Sequence, residues 1–169
     1  MAAQRKTLEA SAWEILEQIP DPEIPVLSIV DLGIVRSVEV DGAKVTVGVA
    51  PTYSGCPATE VIEDSVVKSL QSGGIDRVSV RRVLSPPWTS DWISDRGREK
   101  LREYGIAPPE KGAARGKMLG DTIIAERIVA CPRCGTENTR KVSEFGSTAC
   151  KASYKCNECL EPFEYFKCI

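Results

Sequence analysis

Apolar residues at Leu8, Ala12, Ile15, Leu16 and Ile19 share one helical face while Glu9, Glu14 and Glu17 fall elsewhere, so the spacing predicts a first amphipathic helix. Thr7 fits its N-cap and Pro20 its stop. The following Asp21, Pro22, Glu23, Ile24 and Pro25 cannot extend it, because each proline lacks a donor and biases its predecessor towards extended backbone. An ordered acidic loop is expected there. Residues 34–40 and 44–50 alternate, most cleanly as Val45, Val47 and Val49 against Thr46 and Gly48, around a turn at Asp41 and Gly42, which predicts a β-hairpin. Pro57 suits a first helical position, and Ala58, Val61, Ile62, Val66 and Leu70 continue at helical spacing as far as Gly73 and Gly74. Alternation through Val78 and Val80 then returns a third strand over 77–84, which Pro86 and Pro87 end.

The pattern predicts an α+β fold, with a small mixed sheet of about three strands and helices on one face. Residues 90–104 read as a further helix, and 107–120, rich in proline, glycine and alternating charge, as a linker. The expected organisation is a domain over 1–106, a linker over 107–122 and a small β module over 123–169. Asp21, Glu23 and Asp31 read as turn formers and caps, with no chemistry of their own. Trp88 and Trp92 are a partner-binding patch or, by the stronger reading, aromatics buried between helix and sheet.

Cysteine spacing changes the picture for the last 39 residues. Cys131 and Cys134, then Cys156 and Cys159, form two C-x₂-C pairs with 21 residues between them. Each such pair places two thiolates on one ion within a tight turn, and Gly135 supplies the positive φ that such a turn needs. Four soft sulfurs suit zinc or a single iron, so 123–169 is expected to be a zinc-ribbon-like module with Zn²⁺ in a structural role. A rubredoxin-like iron site uses similar turns. Cys150 and Cys168 lie on the two strands predicted to flank the second pair, over 147–155 and 161–169. They are either small buried thiols or, together with Cys56, ligands for iron or an iron–sulfur cluster. Cys56 sits at the N-cap of the second helix, where the macrodipole lowers a thiol pKa; the alternative is a simple cap.

Composition mainly excludes. The chain of 169 residues contains no histidine, which removes Ser-His-Asp and Cys-His sites and the Glu-x-x-His ligands of a di-iron oxygenase centre. There is no glycine-rich nucleotide loop. The formal charge is −2, and residues 131–169 carry six basic and five acidic side chains, so neither nucleic acid nor a membrane surface is an expected partner. No run spans a bilayer, the start lacks a secretory apolar stretch, and an odd cysteine count argues against a disulfide framework, so a cytoplasmic protein is expected.

The segments IPDPEIPVLSIVDLG at 19–33 and PTYSGCPA at 51–58 resemble the iron–sulfur assembly domain of the SufT-like family. With PPWTSDW at 86–92, LREYGI at 101–106, EFGSTACK at 144–151 and EPFEYFKC at 161–168, the chain resembles the PaaD family of phenylacetate-degradation proteins over nearly its whole length. The resemblance places Cys56 on the family's reactive cysteine. It implies work alongside the phenylacetyl-CoA epoxidase system, whose oxygenase and reductase subunits carry the catalysis. The implied role is maturation, assisting insertion of iron or of a labile iron–sulfur cluster, without catalytic activity of its own. A docking subunit and a rubredoxin-like electron carrier are the competing readings, and homo-oligomer formation is left open.

Overall fold

The computed structural model describes residues 2–53, 58–112 and 128–167, with side chains from Thr7 onward. It divides into two compact units, Met1–Trp88 and Thr89–Ile169.

In the first unit, α1 (Ala2–Leu16) starts earlier than the Thr7 cap predicts, because residues 2–6 are all good helix formers and Thr7 is carried into the helix. Ala12 and Leu16 are buried, and the end tightens through bonds from Gln18 N–H to the Ile15 carbonyl and from Ile19 N–H to the Leu16 carbonyl. The acidic loop is built by its own carboxylates. Asp21 Oδ1 accepts from the N–H groups of Glu23 (3.0 Å) and Ile24 (2.8 Å). Ser28 and Asp31 cap each other, Asp31 N–H donating to Ser28 Oγ at 2.9 Å and Ser28 N–H to Asp31 Oδ2 at 3.3 Å. Satisfied in this way, the loop turns Ile24, Leu27, Ile29 and Leu32 into the core.

The hairpin forms β1 (Val35–Asp41) and β2 (Lys44–Val49), with Gly42 at φ 59° in a two-residue turn. Helix α2 (Ala58–Ser72) then crosses over to β3 (Arg77–Arg82), which pairs parallel with β2. The sheet order β1-β2-β3 is thus the expected mixed sheet. Ala58, Thr59, Ile62, Val66 and Leu70 form the buried stripe of α2, whereas Val61, assigned to it by spacing, is 53% exposed. Gly73 closes the helix where a Cβ would overlap the Ile15 side chain, so glycine lets the ends of α1 and α2 approach. Trp88 is buried and its indole N–H donates to the Leu32 carbonyl at 3.0 Å, which makes it a core anchor and not an exposed patch.

The second unit opens with a 3₁₀ turn (Ser90–Trp92) and α3 (Asp95–Glu103), whose Ser94 cap accepts from Gly97 N–H at 2.9 Å. Strands β4 (Ile106–Ala107), β5 (Thr139–Ser143), β6 (Lys151–Cys156) and β7 (Pro162–Phe166) form a sheet of order β4-β7-β6-β5. Because β4 pairs with β7, the chain from Thr89 onward groups with the ribbon, while the sequence pattern puts the boundary after Ile106. Most of the expected linker lies outside the described residues. The core gathers Ala107, Val129, Ala152, Tyr154, Phe163 and Tyr165 around the buried Cys131 and Cys156, with Tyr154 stacked on Phe163 and edge-on to Tyr165. Among the described residues no helix is long and apolar enough to cross a membrane.

Before Lys151 the expected strand gives way to a loop gripped by Glu164. Its carboxylate accepts from Ser147 N–H and, at 3.2 Å, from Ser147 Oγ, meets the buried Lys151 ammonium at 2.9 Å, and leaves no room for a side chain at Gly146. Burial raises the Glu164 pKa, but the Ser147 donors and Lys151 outweigh it and hold the carboxyl below its usual value of 4.5.

Two outcomes follow for stability. Leu70→Ala is expected to lose about 2–5 kcal/mol in urea unfolding, because Leu70 is fully buried, whereas the exposed Val61→Ala stays within about 0.5 kcal/mol. Glu164→Gln leaves Lys151 without its counter-charge and is expected to lose at least about 1 kcal/mol near neutral pH. Since the folded pKa lies below the unfolded one, this difference is fully present above about pH 4.5 and disappears as pH falls through the folded value, which paired denaturation curves would measure.

Candidate metal centre

Two tight turns carry the four sulfurs. In the first, Gly135 N–H donates to the Cys131 carbonyl at 2.9 Å and Cys131 N–H to the Thr136 carbonyl at 2.9 Å, with Gly135 at φ 75°. The second repeats the arrangement, Cys156 N–H donating to the Glu161 carbonyl at 3.0 Å and Cys159 N–H to Cys156 Sγ at 3.4 Å. Here Leu160 takes the place of Gly135 and adopts φ 62°, a conformation that an L side chain enters only at a cost. The turns are bridged by a bond from Asn157 N–H to the Asn138 carbonyl (2.9 Å) and by the Asn157 and Asn138 side-chain amides, also 2.9 Å apart.

The ligand atoms of Cys131, Cys134, Cys156 and Cys159 all lie within 4.8 Å of one another. Cys131 and Cys159 sulfurs are 3.7 Å apart, and those of Cys134 and Cys156 3.6 Å. That is too far for a disulfide, yet four sulfurs each ~2.3 Å from a common ion stand about 3.8 Å apart in a tetrahedron. The donor set therefore fits a metal ion. Cys131 and Cys156 are buried and Cys134 and Cys159 exposed, so the site closes the edge of the core.

The thiols alone share charge poorly. Burial raises the Cys156 pKa, but the N–H groups of Cys159 and Glu158 and the neighbouring thiols bring it to about 7. Although Cys159 accepts a backbone bond from Glu161, desolvation and the sulfurs of Cys156, Cys134 and Cys131 push it up to about 12. One thiolate near neutrality thus discourages the next, and a divalent cation removes the conflict by letting all four ionise.

Of the remaining cysteines, Cys150 stands apart from this cluster. Cys150 is buried, its sulfur 3.0 Å from Thr148 Oγ1, and it precedes Cys156 by six residues. Extended chain of that length spans about 20 Å, so Cys150 is not a fifth ligand of the same ion. Cys56 and Cys168 lie outside the described residues, so of the three candidate iron or cluster ligands only Cys150 is placed. Sequence pattern misses the Glu164 grip on the loop before Cys150, whose members are 13 to 17 residues apart, and also the strained Leu160, which the likeness of the two turns could have flagged.

The family profile described as "PaaD zinc beta ribbon domain" matches residues 120–167, and that described as "Iron-sulfur cluster assembly protein" matches residues 9–81. A protein of Escherichia coli (strain K12), provisionally named as a subunit of 1,2-phenylacetyl-CoA epoxidase, is 49% identical over 93% of this chain and 91% of its own length. The Fe-S protein maturation auxiliary factor SufT of Staphylococcus aureus (strain USA300) is 42% identical over 44% of this chain and 85% of its own. Among solved structures, a Bacillus anthracis domain of unknown function (DUF59) superposes with a TM-score of 0.57 at 28% identity, covering 60% of this chain and 97% of that one. An assembly-type α+β unit followed by a four-cysteine ribbon, matched over nearly its full length by an epoxidase-subunit relative, shows that the chain belongs to the PaaD family of phenylacetyl-CoA epoxidase proteins.

Proposed function

We propose that this protein is a maturation factor of the phenylacetyl-CoA epoxidase system. It would act in the cytoplasm on the oxygenase or reductase subunits, assisting insertion of iron or of an iron–sulfur cluster. The observation that carries the reading is the closed geometry of the ribbon site. Cys131, Cys134, Cys156 and Cys159 fill a tetrahedron, which leaves an ion there no open position for cargo. Zinc in that site is structural. Transfer chemistry then falls to other thiols, first Cys56 in the assembly-type unit, with Cys150 and Cys168 as further ligands of a labile cluster. The absence of histidine and of a nucleotide loop agrees with a protein that has no catalysis of its own.

A docking subunit without metal transfer is the second reading, favoured by the naming of the Escherichia coli relative as an epoxidase subunit. Stable stoichiometric copurification with the oxygenase, together with the absence of any cluster, would support it instead.

Elemental analysis and absorption spectra on protein purified without oxygen test the proposal. The expected result is a colourless protein with one zinc per chain; iron in the ribbon with rubredoxin-like colour would favour an electron carrier. Anaerobic reconstitution with iron and sulfide is expected to give charge-transfer absorbance that Cys56→Ser loses while keeping its zinc. An unchanged spectrum in that variant would remove Cys56 from the role. Cys156→Ser is expected to lose the zinc and, by circular dichroism, the ordered ribbon, because the metal supplies stability that the small core lacks.

A further inference from the structure

The second unit contains a cavity of about 410 Å³ with walls that include Ala107, Pro108, Ile128, Val129 and Tyr165, and with the guanidinium of Arg98 in its lining. Arg98 is only 8% exposed. A guanidinium has five N–H donors and a charge that burial penalises unless an anion faces it. Two of those donors are used, one by the Pro109 carbonyl and one by the Ser90 carbonyl at 2.8 Å. Its Nε–H is buried with no acceptor.

No carboxylate among the described residues pairs with Arg98. Asp95, whose charge also acts on Arg98, is engaged by Lys111, which lines the cavity as well, and Arg102, the third cationic side chain of the lining, pairs with Glu99 at 2.6 Å. Glu110 also lines the cavity, but it is exposed and forms no ion pair with Arg98. Lys151 shows the contrast within the same unit, since it is buried to a similar degree and its counter-charge, Glu164, stands 2.9 Å away.

We infer that this cavity binds a small organic carboxylate, its single negative charge neutralising Arg98 and its apolar body lying against Val129, Pro108 and Tyr165. A monoanion matches Arg98, the cationic side chain of the lining that has no ion-pair partner among the described residues, a carboxylate can take two guanidinium donors side by side, and the volume is that of a small-molecule site. A phosphate dianion would need a second free cation, which the paired Arg102 and Lys111 do not supply. Cys131 and Gly135 also line this cavity, so its shape depends on the ribbon turn being formed, whereas it does not depend on the maturation role.

Calorimetric titration of the full chain with benzoate tests it, with benzamide as the neutral isostere and inorganic phosphate as the competing anion. Saturable benzoate binding is expected, at least tenfold weaker for benzamide, for phosphate and for Arg98→Met. Because Arg98 also ties two loops together, Ile128→Glu is the second variant. Ile128 is largely exposed, so the fold should survive, and the new carboxylate would pair with Arg98 and abolish benzoate binding while metal content stays unchanged. Absence of benzoate binding, equal binding of benzoate and benzamide, tighter binding of phosphate, or wild-type benzoate affinity in Ile128→Glu would each overturn the assignment.

Discussion

Four sulfurs held within 4.8 Å of one another are the constraint on which the second unit depends. As thiols they cannot all ionise, since the charge on Cys156 raises the cost of charge on Cys159. A cation would reverse that relation and turn the repelling groups into a cross-link for a module whose cluster around them holds eight of the described residues, two of them ligands. The strain at Leu160 and the side-chain bridge between Asn138 and Asn157 make sense in that light. Both serve a turn geometry that brings two sulfurs to one point rather than following local backbone preference.

The first unit is stabilised in the opposite way. Its aliphatic core draws Val45, Val47, Val49, Ile62, Val66 and Leu70 from period-2 and period-3.6 patterns, and the irregular loop that adds Ile24, Leu27, Ile29 and Leu32 is made burial-competent by carboxylates that cap their own backbone. Its described residues hold no cluster of three or more potential metal ligands. The two units therefore differ in what closes their cores, converging thiols in the ribbon and aliphatic packing in the α+β unit.

Legibility in the sequence follows the same division. The hairpin, the buried stripe of α2 and the C-x₂-C turns are readable because each rests on neighbours a few residues apart. The capping roles of Asp21 and Asp31 are readable for the same reason. Val61 is misplaced because helical spacing alone cannot say how wide the covered stripe is. The grouping of α3 with the ribbon is invisible, since it rests on β4, two residues long, pairing with β7 nearly sixty residues later. Lys151 and Glu164 are likewise two unremarkable charges in the sequence, and only the strand register brings them together.

That register bears on how the thiols divide their work. Cys150 lies one residue before β6 while Cys156 ends it, about 20 Å of extended chain away, so Cys150 sits at the other end of the strand from the four-sulfur cluster. It is buried, close to Thr148 Oγ1, and it ends a loop whose middle is fastened by the Ser147 bonds to Glu164. The same carboxylate neutralises the buried Lys151, so the loop and the buried charge depend on one side chain. The closed set of four sulfurs and the Glu164 grip thus do separate jobs in one unit, the first converging ligand atoms on a single point and the second fixing the loop that leads into the buried Cys150.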